Sequence, residues 1–236
     1  MLSGIFNYDN PVWRFIGKFF DIMVLNILWF ICSIPIVTIG ASTTAVYYVT
    51  LKLVRDEDSG TIKSFFKSFK ENFKQATVIW LILLVIGFIL GFDIYYFVEV
   101  YTEPNRFRTI MVALFGGMTI IYAAISMYIF PLQARFYNPV KRTFINAFFM
   151  SIRHLLQTIG MAAIDVALVF FCVAVPQIGV LLVLFGFPLL AYVNSFILNS
   201  IFTKYMPKQE RDEAEDELRP LFADEDMKPE SKELKG

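Results

Sequence analysis

The chain has 236 residues, of which 57% are hydrophobic and 18% are charged, and its formal net charge at pH 7 is zero. Soluble domains carry about 25% charged residues and about half apolar ones, so this composition is typical of a membrane protein. The single histidine and two cysteines exclude a disulfide framework and a metal site built from several Cys and His residues within this chain. We therefore expect an integral membrane protein of the all-α class.

The first hydrophobic region runs from about Phe15 to Val54, which is too long for one membrane span. Its middle holds Pro35 and the small, polar run 38–44, and both disfavour a continuous helix. The pattern predicts a helix, a turn and a second helix, with spans of about 17 to 20 residues. A single kinked helix is the alternative. A cleaved signal peptide fits less well, because a second apolar stretch follows directly.

Four further apolar blocks have the length of about 20 residues that a helix needs to cross a bilayer. They are Ala76 to Phe97, Thr109 to Leu132, Leu155 to Val175, and Ile178 to Phe202. The sequence thus predicts a polytopic transmembrane helical bundle over residues 1–204, with about six spans, or five if the first region is one kinked helix.

Basic residues are concentrated in the N-terminal flank and in segments 52–75 and 133–154, whereas the segment from Val98 to Arg108 balances two arginines with two glutamates. Positively charged segments stay in the cytoplasm. The charges therefore predict a multi-pass protein of the cytoplasmic membrane with both termini inside. With five spans, only the N-terminus would change sides. The polar, acidic segment 205–236 offers little to bury and predicts a largely disordered cytoplasmic tail.

Residues 61–75 are amphipathic, with an aromatic stripe beside a lysine stripe about 100° around a helix. The stripes comprise Phe66, Phe69 and Phe73, and Lys63, Lys67, Lys70 and Lys74. This pattern favours a helix at the inner membrane surface, with lysines reaching anionic headgroups. A plain basic loop and a docking helix for a cytoplasmic partner are the alternatives. Residues 62–70 are weakly similar in sequence to residues 145–153. The similarity reflects either an internal repeat or chance.

Three acidic residues fall within the predicted spans: Asp165 near mid-span, Asp93 near an outer end and Asp21 near an inner end. An ionisable side chain at membrane depth is costly and is often functional. Asp165 could line a pathway or act as a coupling residue. Protonation, or a structural hydrogen bond to a residue such as Asn194, is the other interpretation, and it is favoured for Asp21 and Asp93.

Small residues at a spacing of four predict close helix packing at two places. Gly87 and Gly91 form a GxxxG pattern, and Ala41 and Ala45 form a second small pair. Packing within the chain is the main interpretation, and a contact between subunits, including a homo-oligomer, is the alternative.

The chain has no phosphate-binding loop, no dinucleotide-binding glycine pattern, no zinc-protease motif and no nucleophile elbow. We therefore expect no enzymatic activity, no cofactor, no metal and no nucleic-acid partner.

The N-terminal third resembles the YesL family of small bacterial membrane proteins of unknown function. The resemblance is carried by Asn10-Pro11, Asp21, Asn26 to Trp29, Cys32 to Ala41, Phe65-Phe66, and Ser68 to Phe73. Genes of that family often lie beside carbohydrate ABC importers, polysaccharide-degrading enzymes and two-component sensors. The resemblance implies no functional residues.

Three functions follow as expectations. The first, drawn from the family's gene context, is an accessory membrane subunit of a carbohydrate ABC importer that packs against the permease subunits. The second is an independent small transporter or channel with Asp165 in its path. The third is a membrane scaffold or a partner of a sensor kinase. Membrane lipids are partners in all three.

Overall fold

The computed structural model describes residues 11–57, 60–101, 103, 105–174 and 176–206, and every regular element in that part of the chain is helical. The α-helices are α1 (Pro11–Cys32), α2 (Ile39–Val54), α3 (Thr61–Tyr95), α4 (Arg106–Arg135), α5 (Val140–Arg153), α6 (Leu155–Ala174) and α7 (Pro176–Phe202). Short 3₁₀-helices occupy Ile36–Thr38 and Thr203–Tyr205, and a π-helix occupies Tyr96–Val100. The predicted all-α class is confirmed for the described residues.

Among the described residues, four helical segments are long and apolar enough to cross a membrane. They are Ile36–Val54, Thr61–Val100, Arg106–Arg135 and Leu184–Tyr205. The pair Val140–Arg153 and Leu155–Phe171, bent by 92°, gives a fifth if it counts as one span. The sequence predicts about six because it also counts α1, which has 22 residues but is not among these segments.

The chain divides into two compact units, Met1–Asn199 and Ser200–Gly236. The first holds α1 to α6 and most of α7. The second holds the end of α7 and the last 3₁₀-helix. Most of the tail predicted to be disordered, residues 207–236, lies outside the described part of the chain.

Between α1 and α2 the chain reverses, so the alternative of one kinked helix is wrong. The indole N–H of Trp29 donates to the hydroxyl of Thr43 at 3.2 Å, across 14 residues of sequence. Pro35 has no N–H to continue the helix. The hydroxyl of Thr38 bonds the carbonyls of Cys32 at 2.5 Å and Pro35 at 2.7 Å, which closes the turn.

Helix α2 is the most deeply buried helix of the first unit, and small residues fill the first half of its sequence. Residues 40–47 and 49–51 are all buried. A Cβ on Gly40 would overlap the Ala76 carbonyl oxygen and would come within 2.5 Å of the Trp80 Cβ. Only a residue without a side chain fits there, so Gly40 brings α2 and α3 into close contact.

Helix α3 is continuous over 35 residues, which corresponds to about 52 Å at 1.5 Å per residue. A hydrocarbon core is about 30 Å thick, so α3 is long enough to cross it and to extend well beyond. The segment 61–75, predicted as a surface helix, forms the first four turns of α3. It is therefore continuous with the rest of α3 and is not a separate helix.

The basic segment 133–154, which the charge pattern places in the cytoplasm between two predicted spans, is largely helical. Helix α4 continues to Arg135, and α5 then runs to Arg153 before a 92° bend leads into α6. Thr143, Ala147, Met150 and Ser151 are buried on α5, while its other face exposes Ile145, Phe149 and Ile152. An amphipathic helix nearly perpendicular to a span is the geometry of a helix at a membrane surface.

Candidate functional site

Asp165 and Asn194 are joined across α6 and α7. The amide nitrogen of Asn194 donates to both carboxylate oxygens of Asp165, at 2.9 Å and 3.0 Å. Asn194 is only 3% exposed, and Asp165 is half-buried. Of the four polar residues that the sequence predicts within spans, the described hydrogen bonds bring these two together.

Three hydroxyl side chains complete a polar cluster, which we define as Tyr47, Thr50, Asp165, Asn194 and Ser195. The hydroxyls of Thr50 and Ser195 are 2.8 Å apart, and both side chains are fully buried. Tyr47 is buried as well and interacts with both Asp165 and Asn194. The cluster thus joins α2, α6 and α7 through polar groups inside apolar helices.

Helix α7 is interrupted at Gly186, and the next residue, Phe187, contacts Tyr47 of this cluster. Gly186 has φ 40° and ψ −138°, a conformation that disfavours any residue with a side chain, and Pro188 follows. The ring of Phe187 packs against those of Trp29 at 5.2 Å and Tyr47 at 5.8 Å. Interrupted helices at membrane depth free backbone polar groups, and many transporters bind their substrates at such interruptions.

The chemistry available to the polar cluster is that of one carboxylate, one amide and three hydroxyls. Both hydrogen bonds that Asp165 accepts from the described residues come from the neutral Asn194. A carboxylate in apolar surroundings without a cationic partner is neutralised by a proton or a small cation. Within the described residues, no three His, Cys, Asp or Glu side chains come together as ligands for a metal ion.

Asp21 and Asp93 lie apart from this hydrogen-bond network. The Asp21 carboxylate accepts from the hydroxyl of Thr61 at 2.5 Å, next to the ion pair between Lys18 and Asp56. These contacts join the first half of α1 to the connection between α2 and α3 and to the first residue of α3. Asp93 lies two residues before the end of α3.

The predicted packing residues have different surroundings. Ala41 and Ala45 are fully buried on α2. A Cβ on Gly87 would lie 2.7 Å from the hydroxyl of Tyr122, and that hydroxyl donates to the Leu83 carbonyl at 3.0 Å, which joins α3 to α4. Gly91 has no heavy atom within 4 Å of the corresponding position.

The lysines and phenylalanines predicted as a partner or lipid surface lie on the first half of α3. Lys63, Lys67, Lys70 and Lys74 are exposed, as are Phe66 and Phe73, while Phe69 is half-buried. An open cleft of about 380 Å³ is lined by Phe69, Lys70, Glu71, Phe73 and Lys74. A second cleft, of about 470 Å³, lies beside it and includes Glu71, Arg135 and the fully exposed Tyr137.

The connection between α2 and α3 is held by charge. Burial raises the pKa of the Glu57 carboxyl, but the hydrogen bond and positive charge of Arg55 lower it more, and Lys52 and Arg135 add to that effect. The net result is a pKa below the ordinary carboxyl value. Glu57 is therefore ionised and paired near neutral pH.

Sequence reasoning missed Tyr47, Thr50 and Ser195 in the cluster and Phe65 on α3. Thr50 and Ser195 are 145 residues apart, and no local spacing connects them. Phe65 is completely buried, although the aromatic stripe assigned to the surface begins at the next residue. The alternation of buried Ser64, Phe65 and Ser68 with exposed lysines is a helical signal that could have placed it.

Residues 22–94 match a family described as a protein of unknown function, DUF624. The match covers the second half of α1, all of α2 and nearly all of α3, while Asp165 and Asn194 lie outside it. No curated protein and no solved structure matches the chain.

Proposed function

We propose that the protein is a YesL-family accessory subunit of a carbohydrate ABC importer in the bacterial cell membrane. The DUF624 match over residues 22–94 supports the family assignment, because it spans most of the segment that carries the YesL resemblance. The gene context of that family supports the link to sugar uptake. The protein contributes membrane helices and leaves nucleotide hydrolysis to other subunits.

The observation that carries the subunit role is the uncovered apolar surface of α3 and α4. In the most apolar stretch of α4 no residue is buried. In the most apolar stretch of α3 only 17% of the residues are buried. Gly91 on α3 and Gly116 and Gly117 on α4 have open space where a side chain would be. Glycines that face outward let a neighbouring helix approach closely, and the permease subunits supply such helices.

Affinity purification of the full chain in mild detergent, from its native host grown on complex carbohydrate, tests the proposal. We expect permease subunits to be recovered in a fixed ratio. Gly116→Leu and Gly117→Leu should reduce that recovery, because a bulky side chain keeps the neighbouring helix away. Gly160→Leu is the matched control, since Gly160 on α6 also has open space around it. Recovery of the protein alone, or only with itself, contradicts the subunit role.

The polar cluster favours a second candidate function, an independent small transporter. Asp165 and Asn194 lie in two apolar helices, and Tyr47 of the same cluster contacts the residue after the interruption at Gly186. In this case the purified protein alone should move an ion or sugar in proteoliposomes. Asp165→Asn should abolish that movement while the protein still elutes as a folded species, and an inactive wild type would rule the carrier out.

A further inference from the structure

We propose that Asp165 and Asn194 form a reversible proton-binding site that alternates between a carboxylate–amide pair and an acid–amide pair. The inference concerns the polar cluster and does not depend on the proposed subunit role. It rests on the hydrogen bonds between the two side chains, on an amide oxygen that they leave over, and on the charges around them.

The hydrogen bonds correspond to the deprotonated form. An ionised carboxylate only accepts, and an amide NH₂ group has two hydrogens to give. Asn194 donates to both carboxylate oxygens, so the acidic side chain receives two bonds from one nitrogen. The two carboxylate oxygens thus share the amide nitrogen of Asn194 as their donor.

The amide oxygen of Asn194 is left without a donor. Its side chain is 97% buried, and the oxygen accepts no hydrogen bond from the described residues. Buried polar atoms in native proteins nearly always have a partner. This unused acceptor belongs to the side chain that already binds Asp165. It can therefore accept a hydrogen bond from the O–H group of Asp165 when that acid is protonated.

The charges around Asp165 favour proton uptake. Among the described residues, Tyr47 on α2 is the ionisable side chain that interacts with Asp165, and α7 presents the neutral Asn194 and Ser195. On α6 itself the remaining ionisable residue is Cys172. On α1, Lys18 is paired with Asp56, and Asp21 is bonded to Thr61. Neighbouring Val166 is largely exposed on an apolar helix, where lipid favours the neutral form of Asp165.

Uptake of a proton from water rearranges the pair without breaking a covalent bond. The proton adds to one carboxylate oxygen of Asp165, whose new O–H then donates to the Asn194 amide oxygen. The amide nitrogen continues to donate to the other carboxyl oxygen. Two complementary hydrogen bonds form, every polar atom of the pair has a partner, and the charge of the site changes from −1 to zero.

Infrared difference spectroscopy tests this on the full chain in lipid nanodiscs, titrated from mildly alkaline to mildly acidic pH. We expect a protonated carboxyl C=O band to grow on acidification. The band should be absent in Asp165→Asn and retained in the matched control Asp93→Asn, with all three proteins eluting alike on size exclusion. A missing band in the wild type, or a band that persists in Asp165→Asn, would overturn the proposal.

A second pair of variants tests the role of the amide. Asn194→Ala removes the two bonds to the carboxylate, and because bonds to a charged group are the stronger ones, proton affinity should rise by about tenfold, or roughly one pH unit. Asn199→Ala, on the same helix, should leave the titration unchanged. Equal titrations in the wild type and Asn194→Ala would overturn the pairing. A band that depends on sodium concentration at constant pH would assign the site to a metal cation instead.

Discussion

The indole N–H of Trp80 donates a hydrogen bond of 2.8 Å to the backbone carbonyl of Ile36 and thereby fastens the turn between α1 and α2 to the middle of α3. The bond matters because the turn is apolar on its outside: Ile34 is 70% exposed and Ile36 is 63% exposed. Apolar surface of this kind belongs in lipid, where a backbone carbonyl without a partner is costly. Trp80 supplies that partner.

Replacing this indole should loosen the turn. Trp80→Phe keeps an aromatic ring beside Phe130 but removes the donor to Ile36. We expect a loss of about 1 kcal/mol in the free energy of unfolding, since one acceptor loses its hydrogen bond. Thermal unfolding in detergent measures it, with Tyr137→Phe, at a fully exposed side chain, as a control that should not change. Equal midpoints for both variants would mean that the bond contributes no stability.

The same turn should be hidden from water. In a background with Cys32→Ser and Cys172→Ser, we expect Ile34→Cys to resist a membrane-impermeant thiol reagent in intact cells, because the exposed side chains around it are apolar. Glu103→Cys, in the connection between α3 and α4 that the charge pattern places outside, should react. Equal labelling at both positions would mean that the turn reaches the outer aqueous phase.

How far sequence alone predicts this structure differs from one feature to the next. Pro35 marks the turn because a residue without an N–H disfavours the continuation of a helix. The sequence predicts a hydrogen bond between Asp165 and Asn194 only as one alternative. A buried acid needs a partner, but other asparagines in the predicted spans could also provide it. The contact of Thr50 with Ser195 and the surroundings of Gly186 depend on how distant helices pack. Helix α5 was not predicted, because its basic residues were interpreted only as a signal of membrane orientation. Its apolar residues nevertheless follow helical spacing.

The GxxxG pattern on α3 should prove asymmetric. Gly87→Leu forces a side chain into the space of the Tyr122 hydroxyl and displaces its bond to Leu83, so we expect a loss of about 1–3 kcal/mol in the free energy of unfolding. Gly91→Leu meets no neighbour within the chain and should be neutral for the isolated protein. Unfolding midpoints of the two variants side by side provide the measurement, and an equal effect would contradict this packing of α3 on α4.

Phe65 should stabilise the first half of α3 more than the exposed aromatic side chains of the stripe beside it. It is 0% exposed and contacts the rings of Phe66 and Phe69. Phe65→Ala should cost about 3–5 kcal/mol in the free energy of unfolding, as large-to-small core substitutions do. Phe66→Ala, at a side chain that is 45% exposed, should cost much less. The ranking is checked by denaturant unfolding and fails if Phe66→Ala is the more damaging of the two.

The ion pair of Glu57 with Arg55 should make stability depend on acid pH. Because the pKa of Glu57 is lower in the folded protein than its ordinary value of 4.5, the folded state holds this proton less tightly than the unfolded state. The stabilisation is therefore complete above that ordinary value and is lost as pH falls through the folded pKa.

Glu57→Gln should lower the free energy of unfolding at neutral pH by about 0.2–1 kcal/mol, since the pair is partly exposed. The difference from the wild type should shrink on acidification, and Glu103→Gln, at an exposed residue, should show no such trend. A difference that is constant with pH would mean that the pair stabilises the connection through packing and not through charge.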